Sequence, residues 1–311
     1  MRNALTLFAG TANPSLAKAV AHALGVELGV CTVERFPDGE LAVHLEQSVR
    51  NREVFIVQPT SPPVNEHLVE LLTLSDACRR AAAARITAVV PYFGYARSDK
   101  RHGRREPITA SMVALLLQAV GVNHIVTVDL HAQQIEGFFH IPVDSLSAVP
   151  TLADVLKTEL KSEAVLVAPD AGAVRIANEY AHRLACPIVV LHKRRASATE
   201  TRVTHLIGEV RGRPCVIVDD MISTGGTIAE AIATLLAADA MPDITVVATH
   251  GVLVGKARER LSHPAVRRVL VTDTLPVMAH GWPELRVISI APVIAAALDR
   301  LSAGGSLSGL F

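Results

Sequence analysis

The sequence predicts an α/β fold made of two doubly wound domains with mainly parallel sheets. Short apolar runs alternate along the chain with longer segments of helical pattern, and strands that alternate with helices form parallel sheets through right-handed crossovers. Half of the 311 residues are hydrophobic and only 4% are aromatic. The interior must therefore be built mostly from Val, Ile, Leu and Ala, as in buried parallel strands. A chain of this length is long enough for two ordinary domains.

The individual elements can be placed from this alternation. Buried strands are expected where a short apolar run is bounded by polar or glycine-containing turns. Strands are predicted at 5–8, 54–57, 86–90, 124–128, 164–167, 187–191, 215–218, 244–248 and 268–271. Helices are predicted at 65–84, 108–120, 151–160 and 228–238. Pro107 at a first-turn position and Gly121 as a stop mark the two ends of the second helix, and a polar, proline-containing stretch at 145–150 marks a domain boundary.

The composition excludes several functional classes. A formal net charge of zero gives no basic face for duplex DNA. No apolar run reaches the roughly 18 residues that a membrane span needs, and Arg2 is followed by a mixed stretch rather than a targeting signal. The four cysteines form no CxxC pair, which favours buried apolar packing over metal or disulfide roles. We therefore expect a soluble, cytoplasmic protein with no nucleic-acid or membrane partner.

The most informative segment is a strand, a turn and the start of a helix at 215–227. Four apolar residues are followed by Asp219 and Asp220, and then by the turn Ser223, Thr224, Gly225, Gly226 and Thr227, which we name the phosphate turn. In an open α/β sheet, ligands bind at the carboxyl ends of the strands. Glycine lets backbone amides approach an anion, and the following helix adds the partial positive charge of its N-terminus.

The two acids suggest a ligand that carries more than a phosphate. Asp219 and Asp220 would repel a phosphate directly, but they are suited to hold sugar hydroxyls or a bridging magnesium ion. Ribose 5-phosphate carries both a phosphate and sugar hydroxyls on one small molecule. No Gly-Lys-Ser/Thr follows the turn, so the segment is not a P-loop.

Residues 218–227, Val-Asp-Asp-Met-Ile-Ser-Thr-Gly-Gly-Thr, resemble the phosphoribosyl-binding signature shared by type I phosphoribosyltransferases and phosphoribosyl pyrophosphate synthases. Segments 36–40, 92–101, 128–139 and 191–200 resemble the synthase family, the ribose-phosphate diphosphokinases, rather than the transferases. Two positions depart from the family pattern. Ser98 stands where the family usually has Gln, and Ser223 stands where many synthases carry an acid.

The resemblance implies a role for each matched residue. His131, which follows a strand and an Asp, and Asp170 are implied to hold Mg2+. Lys193 and Arg195 match the basic residues of a mobile catalytic loop, and His131 joins them as a catalytic residue. The residues implied to bind ATP are Phe36, Asp38, Glu40, Arg97, Ser98, Asp99 and Lys100. The residues implied to bind ribose 5-phosphate are Asp219, Asp220, Ser223, Thr224, Gly225, Gly226 and Thr227.

The resemblance also implies the architecture and the reaction. It implies two type I phosphoribosyltransferase-like domains, 1–146 completed by about 285–311, and 147–284, with the substrates meeting between them. The implied reaction transfers the β,γ-diphosphate of ATP to the 1-hydroxyl of ribose 5-phosphate, giving phosphoribosyl pyrophosphate and AMP. Family members form hexamers built from dimers, so a homo-oligomer is expected.

Two other functions remain open at this point. A type I phosphoribosyltransferase would share residues 219–227 but has no use for 36–40 together with His131. A catalytically silent, synthase-like regulatory subunit would be expected to lose or interrupt its catalytic segments, whereas His131, Asp170, Lys193 and Arg195 are all present here.

Overall fold

The computed structural model of the chain describes residues 5–101, 103–195, 201–308 and 310. It divides into two units. Unit 1 comprises Met1–Ser147, Thr274–Pro276 and Ser289–Phe311, and unit 2 comprises Ala148–Asp273 and Val277–Ile288.

Unit 1 is built on a parallel sheet. Among its described residues the strands are β1 (Leu5–Ala9), β2 (Cys31–Arg35), β3 (Leu41–Leu45), β4 (Glu53–Val57), β5 (Arg85–Val90), β6 (His124–Val128) and β7 (Val143–Leu146). The sheet order is β1-β4-β5-β6-β7, with each neighbouring pair parallel, while β2 and β3 form a separate antiparallel hairpin. Every residue of β6 is buried, as expected of a strand covered by helices on both faces. The helices are α1 (Pro14–Leu24), α2 (Val64–Arg80) and α3 (Thr109–Ala119).

Unit 2 has a larger sheet. Its described strands are β8 (Val165–Ala168), β9 (Ile188–Arg195), β10 (Thr201–Ile207), β11 (Cys215–Ile222), β12 (Ile244–Gly251), β13 (Val266–Thr272) and β14 (Leu285–Ile288). The order is β10-β9-β8-β11-β12-β13-β14, and β10 is antiparallel to β9 while the other pairs are parallel. The helices are α4 (Val149–Lys157), α5 (Val174–Leu184), α6 (Gly226–Ala237) and α7 (Ala257–Leu261); a last helix, α8 (Ala291–Ser302), lies in unit 1 against α1.

The α/β fold with mainly parallel sheets is confirmed, and some predicted bounds are corrected. Helix α2 ends at Arg80 rather than at 84, because Ala82 adopts a left-handed φ of 60°. The amide of Ala83 then donates to the carbonyl of Cys78 (3.0 Å) and the amide of Ala82 to that of Arg79 (3.0 Å), which is a Schellman stop. Alanine occupies the position that glycine usually takes, so the sequence gives no stop signal there.

The start of α4 also differs from the prediction. Helix α4 begins at Val149, two residues before the predicted start, with Pro150 in its first turn. After β13 the chain enters unit 1 at Thr274–Pro276 and again from Ser289, while Leu285–Ile288 between them pair with β13 at the edge of the second sheet.

Two of the four cysteines, Cys78 and Cys215, are buried as expected, whereas Cys31 and Cys186 are only partly buried. All four cysteines are free. Burial raises the pKa of the Cys78 thiol to about 12 and that of Cys215 to about 11, so both are neutral and pack as small apolar side chains. Within the described part of the chain, no helix is long and apolar enough to cross a membrane.

Candidate active site

Strand β11 delivers the two acids to the carboxyl edge of the second sheet. It lies between β8 and β12, parallel to both, and its first four residues are buried. The strand continues to Ile222, beyond the predicted end at 218, so Asp219 and Asp220 belong to the strand and are half-buried. The amide of Asp220 donates to Oδ1 of Asp219 at 2.9 Å.

The phosphate turn joins β11 to α6 through a glycine that no other residue replaces easily. Gly225 has φ 72° and ψ 6° and precedes the first residue of α6. The left-handed backbone favours glycine here, while a Cβ added at this position would make only an ordinary contact, 3.4 Å, with the Cα of Ala257. The carbonyl of Gly225 accepts the first helical hydrogen bond, from Ala229 at 2.9 Å. The turn therefore ends at the amides of a helix N-terminus, where an anion is favoured.

Three carboxylates lie near one another at this edge. The pKa of Asp219 is raised well above its usual range by burial first, and then by the charges of Asp220 and Asp170. Asp170 follows β8, and its Oδ1 accepts from the amides of Gly172 (2.9 Å) and Ala173 (3.2 Å) just before α5. A cluster of this kind stabilises a cation or hydroxyl donors, because either one offsets the repulsion between the acids.

The segment 92–100 in unit 1 is held against the loop that follows β4. The amide of Gly94 donates to Oγ1 of Thr60 at 2.6 Å, and a Cβ on Gly94 would lie 2.4 Å from the Thr60 carbonyl. Ser98 accepts from the amide of Thr109 at 3.3 Å and donates to its hydroxyl at 3.2 Å, so it caps α3. Arg97 and Lys100 are exposed, whereas Asp99 is buried.

The segment around His131 lies beside the segment 92–100. His131 is exposed and precedes a short 3-10 helix, Gln133–Phe138. Gln134 donates to Oδ2 of Asp99, and the rings of Phe93 and Phe139 meet edge to face with centroids 6.1 Å apart. Unit 1 thus brings two predicted segments together. Sequence reasoning missed Gln134, since a lone Gln carries no signal of its own.

The β2–β3 hairpin presents the residues predicted for adenine. Phe36 is 53% exposed at the tip, and Oδ1 of Asp38 accepts from the amide of Glu40 at 3.1 Å. Arg35, which the sequence analysis did not single out, anchors this tip. Its guanidinium donates to the carbonyl of Gly39 at 3.1 Å and to the carboxylate of Glu66 on α2 at 2.6 Å.

The predicted catalytic cations Lys193 and Arg195 lie at the end of β9, where their backbones pair with Val203 and Thr201 of β10. The side chains of both residues fall outside what the structure describes, as do residues 196–200. The predicted magnesium ligands His131 and Asp170 belong to different units. Over the described residues, no group of three His, Cys, Asp or Glu side chains forms a metal site.

Comparison with known proteins identifies the family. The N-terminal domain of ribose phosphate pyrophosphokinase matches residues 5–121, and a phosphoribosyl transferase domain matches residues 150–273. The ribose-phosphate pyrophosphokinase of Corynebacterium efficiens is 44% identical over 311 residues, which cover 99% of this chain and 95% of that protein. The chain belongs to the ribose-phosphate pyrophosphokinase family.

Further members of the ribose-phosphate pyrophosphokinase family agree along the whole chain. The protein of that name from Bacillus caldolyticus is 43% identical over 308 residues, covering 99% of this chain and 98% of that one. The crystal structure of phosphoribosylpyrophosphate synthetase from Mycobacterium smegmatis superposes with a TM-score of 0.91 at 42% identity, covering 97% of this chain and 99% of the other. The predicted family is therefore confirmed, and this member of the ribose-phosphate pyrophosphokinase family is an enzyme of the transferase class.

Proposed function

We propose that the chain transfers the β,γ-diphosphate of ATP to the 1-hydroxyl of ribose 5-phosphate. The sugar oxygen attacks the β-phosphorus. The bond between the β-phosphorus and the oxygen that bridges it to the α-phosphorus breaks, and that oxygen leaves with AMP. The hydroxyl proton passes to solvent. The observation that carries the proposal is the match of residues 5–121 to the N-terminal domain of ribose phosphate pyrophosphokinase in the same chain as the phosphate turn.

In unit 2, the sugar phosphate is assigned to the end of β11. The amides of the phosphate turn and the hydroxyls of Thr224 and Thr227 take the 5-phosphate, while Asp219 and Asp220 accept from the ribose hydroxyls. The raised pKa of Asp219 supports this assignment, because hydroxyl donors stabilise a carboxylate that burial and its neighbours destabilise.

In unit 1, the nucleotide is assigned to the segment 92–100 and the hairpin tip. Exposed Arg97 and Lys100 offer positive charge to the triphosphate. The exposed ring of Phe36 offers a face for adenine, with Asp38 and Glu40 to accept from its amino group.

Ser98 and Asp99 also support the segment itself, through hydrogen bonds to the first residue of α3 and from Gln134. Their contribution to ATP binding is proposed to be mainly that of holding Arg97 and Lys100 in place. The reaction itself needs alignment and positive charge rather than covalent help from the protein.

Magnesium fits the type of donor at the edge of the second sheet. Asp170, Asp219 and Asp220 offer carboxylate oxygens, the ligands a hard divalent cation prefers, although over the described residues no three such side chains form a complete metal site. We assign Asp170 and His131 as its protein ligands. When bound, magnesium supplies positive charge that neutralises phosphate oxygens.

Lys193 and Arg195 are assigned to the transferring diphosphate, where charge grows in the transition state. The proposal also includes a homo-oligomer and a cytoplasmic location, both of which stay predictions from the sequence.

AMP release tests the proposed function. Purified protein is incubated with ATP, magnesium and ribose 5-phosphate, and each component is omitted in turn. We expect AMP only when all three are present, and none from His131→Ala. Base-dependent consumption of phosphoribosyl pyrophosphate would instead favour a phosphoribosyltransferase. A folded protein that forms no AMP, with inorganic phosphate added, would favour the silent regulatory subunit.

A further inference from the structure

The phosphate turn rests on the loop that follows β12, residues 252–261, which we name the supporting loop. The amide of Leu253 donates to the carbonyl of Ile222 at 2.9 Å, and the amide of Val254 donates to the carbonyl of Ser223 at 3.0 Å. Two consecutive carbonyls at the start of the turn are therefore held on the side of the supporting loop.

Arg260 continues this row with a side chain. It lies on α7, and its Nη1 donates to the carbonyl of Thr224 at 2.7 Å, the next carbonyl along the turn. A Cβ on Gly225 would lie 3.7 Å from the Cβ of Arg260, and one on Gly226 would lie 3.5 Å from its Nη1. The guanidinium thus lies directly beside the glycines of the turn, and the supporting loop itself places no backbone amide on this third carbonyl among the described hydrogen bonds.

The direction of these carbonyls fixes the direction of the amides. In a trans peptide the N–H points away from the C=O of the same unit. Because the carbonyls of Ile222, Ser223 and Thr224 point towards the supporting loop, the amides of Ser223, Thr224 and Gly225 point away from it. Successive amides that point one way form a concave site for an anion.

We propose that Arg260 is a positioning residue for the sugar phosphate. Its hydrogen bond to Thr224 holds the Thr224–Gly225 peptide with the Gly225 amide turned outwards, and its charge makes that amide a stronger donor. The inference rests on the proposed function, in which the phosphate turn takes the phosphate of ribose 5-phosphate. Arg260 acts on the phosphate through the turn, since its Nη1 is engaged by the carbonyl behind the turn.

The chain offers a matched control on the same short helix. Arg258 carries the same charge, and its guanidinium donates to the carbonyl of Gly281 instead of the turn. Arg260→Ala and Arg258→Ala therefore remove the same charge two positions apart, but only Arg260→Ala releases Thr224. Arg260→Met keeps most of the stem that packs beside the turn while removing the donor, and Arg260→Lys keeps the charge without the planar guanidinium.

The experiment measures ribose 5-phosphate binding by calorimetry without ATP, and then the steady-state constants. We expect Arg260→Ala and Arg260→Met to weaken ribose 5-phosphate binding and raise its KM about tenfold, the effect of losing one charge-assisted hydrogen bond. The kcat and the KM for ATP should stay within about twofold, because the interaction serves binding in the ground state and transition state alike. Arg260→Lys should recover part of the loss, and Arg258→Ala should match the wild type.

Three results with the variants would overturn the proposal. The first is unchanged ribose 5-phosphate binding in Arg260→Met, and the second is a loss of ATP affinity in that variant as large as its loss of ribose 5-phosphate affinity. The third is a loss of ribose 5-phosphate affinity in Arg258→Ala as large as that in Arg260→Ala. If Arg260→Ala does not fold, Arg260→Met and Arg260→Lys give the answer. The failure of this proposal can be told apart from the failure of the proposed function. A wild type that binds ribose 5-phosphate without forming AMP contradicts the proposed function, but ribose 5-phosphate binding by the variants still tests the role of Arg260. A wild type that binds no ribose 5-phosphate overturns the role of Arg260.

Discussion

At the scale of single residues, the surroundings of Asp219 disfavour its ionised form. Burial and the neighbouring acids Asp220 and Asp170 raise the pKa of Asp219. Ionised Asp219 therefore costs the native state free energy that the unfolded state does not lose. Asp219 therefore serves ligand binding at a cost in stability, and replacing it should change stability and activity in opposite directions.

We expect Asp219→Asn to stabilise the fold at neutral pH while abolishing turnover. The raised native pKa means that the native state binds more protons than the unfolded state between the unfolded and native pKa values, so stability falls as pH rises through that window. Asn carries no charge at any pH and therefore avoids this loss of stability. At a given pH the gain is at most about 1.4 kcal/mol for each pH unit between the unfolded pKa and the lower of the native pKa and that pH.

Urea unfolding and AMP release measure both effects. The stability difference between Asp219→Asn and the wild type should shrink as pH falls towards the ordinary range of an aspartate. Asp154→Asn, which removes an exposed acid on α4, serves as the control and should change little. An Asp219→Asn protein less stable than the wild type at neutral pH would contradict the account of the site.

At the scale of elements, a buried histidine joins three neighbouring strands at the amino edge of the unit 1 sheet. Arg85 of β5 donates to Nδ1 of His124 on β6 at 2.8 Å, and Nε2 of His124 lies 2.6 Å from Oδ2 of Asp144 on β7. Because arginine can only donate, Nδ1 accepts and Nε2 carries the proton. The pKa of His124 is lowered by burial, and the Arg85 charge adds to this, although Asp144 opposes both.

This arrangement predicts a pH dependence of stability. A lowered native pKa means that the unfolded state binds more protons, so stability is lost as pH falls from the unfolded pKa towards the native one. We expect His124→Leu to be less stable than the wild type by roughly 1–3 kcal/mol at about pH 7.5, because hydrogen bonds are lost. At about pH 5.5 the difference in stability between the two proteins should be smaller, because the wild type has lost stability there.

Urea unfolding at the two pH values checks this expectation. His22→Leu, which changes an exposed histidine on α1, is the control and should keep the wild-type dependence on pH. A His124→Leu protein whose pH dependence equals that of the wild type would show that His124 is not the group that titrates.

The β9–β10 hairpin carries the second prediction at this scale. The backbone of Lys193 is fixed by pairing with Val203. We expect Lys193→Ala to lower kcat by about 100-fold with little change in the KM for ATP, the signature of an interaction made in the transition state. Steady-state kinetics with both substrates measure this. A change confined to the KM for ATP would make Lys193 a binding residue instead.

At the scale of the whole molecule, each unit carries the residues assigned to one substrate. The hairpin tip and the segment 92–100 belong to unit 1, and the phosphate turn belongs to unit 2. Variants in one unit should therefore affect one substrate. We expect Phe36→Ala to raise the KM for ATP about tenfold, as for a lost stacking ring, and to leave ribose 5-phosphate binding unchanged.

Asp220→Asn is the reciprocal variant. It should weaken the binding of ribose 5-phosphate and leave the KM for ATP unchanged. Calorimetry with ribose 5-phosphate and steady-state kinetics with ATP compare the two directly. If both variants weakened the same substrate, the division of substrates between the units would be wrong.

The sequence by itself determined the alternating strands and helices, the phosphate turn and the family. These features are local: a buried strand, a turn glycine and a helix start are written in neighbouring residues, and 218–227 lie within one strand, turn and helix. The stop of α2 at Arg80 was missed because alanine takes the left-handed position, and the continuation of β9 was missed because its partner β10 supplies the hydrogen bonds.

Only the tertiary structure decided which distant side chains support the site. Arg260 reaches Thr224 across 36 positions of the chain, Gln134 reaches Asp99 across 35, and Arg35 reaches Glu66 across 31. None of these residues has a motif of its own, because a hydrogen bond between separated elements depends on where the sheet and its loops place each side chain. The chemistry of the site was readable from the sequence, whereas the contacts that hold its backbone in position required the fold.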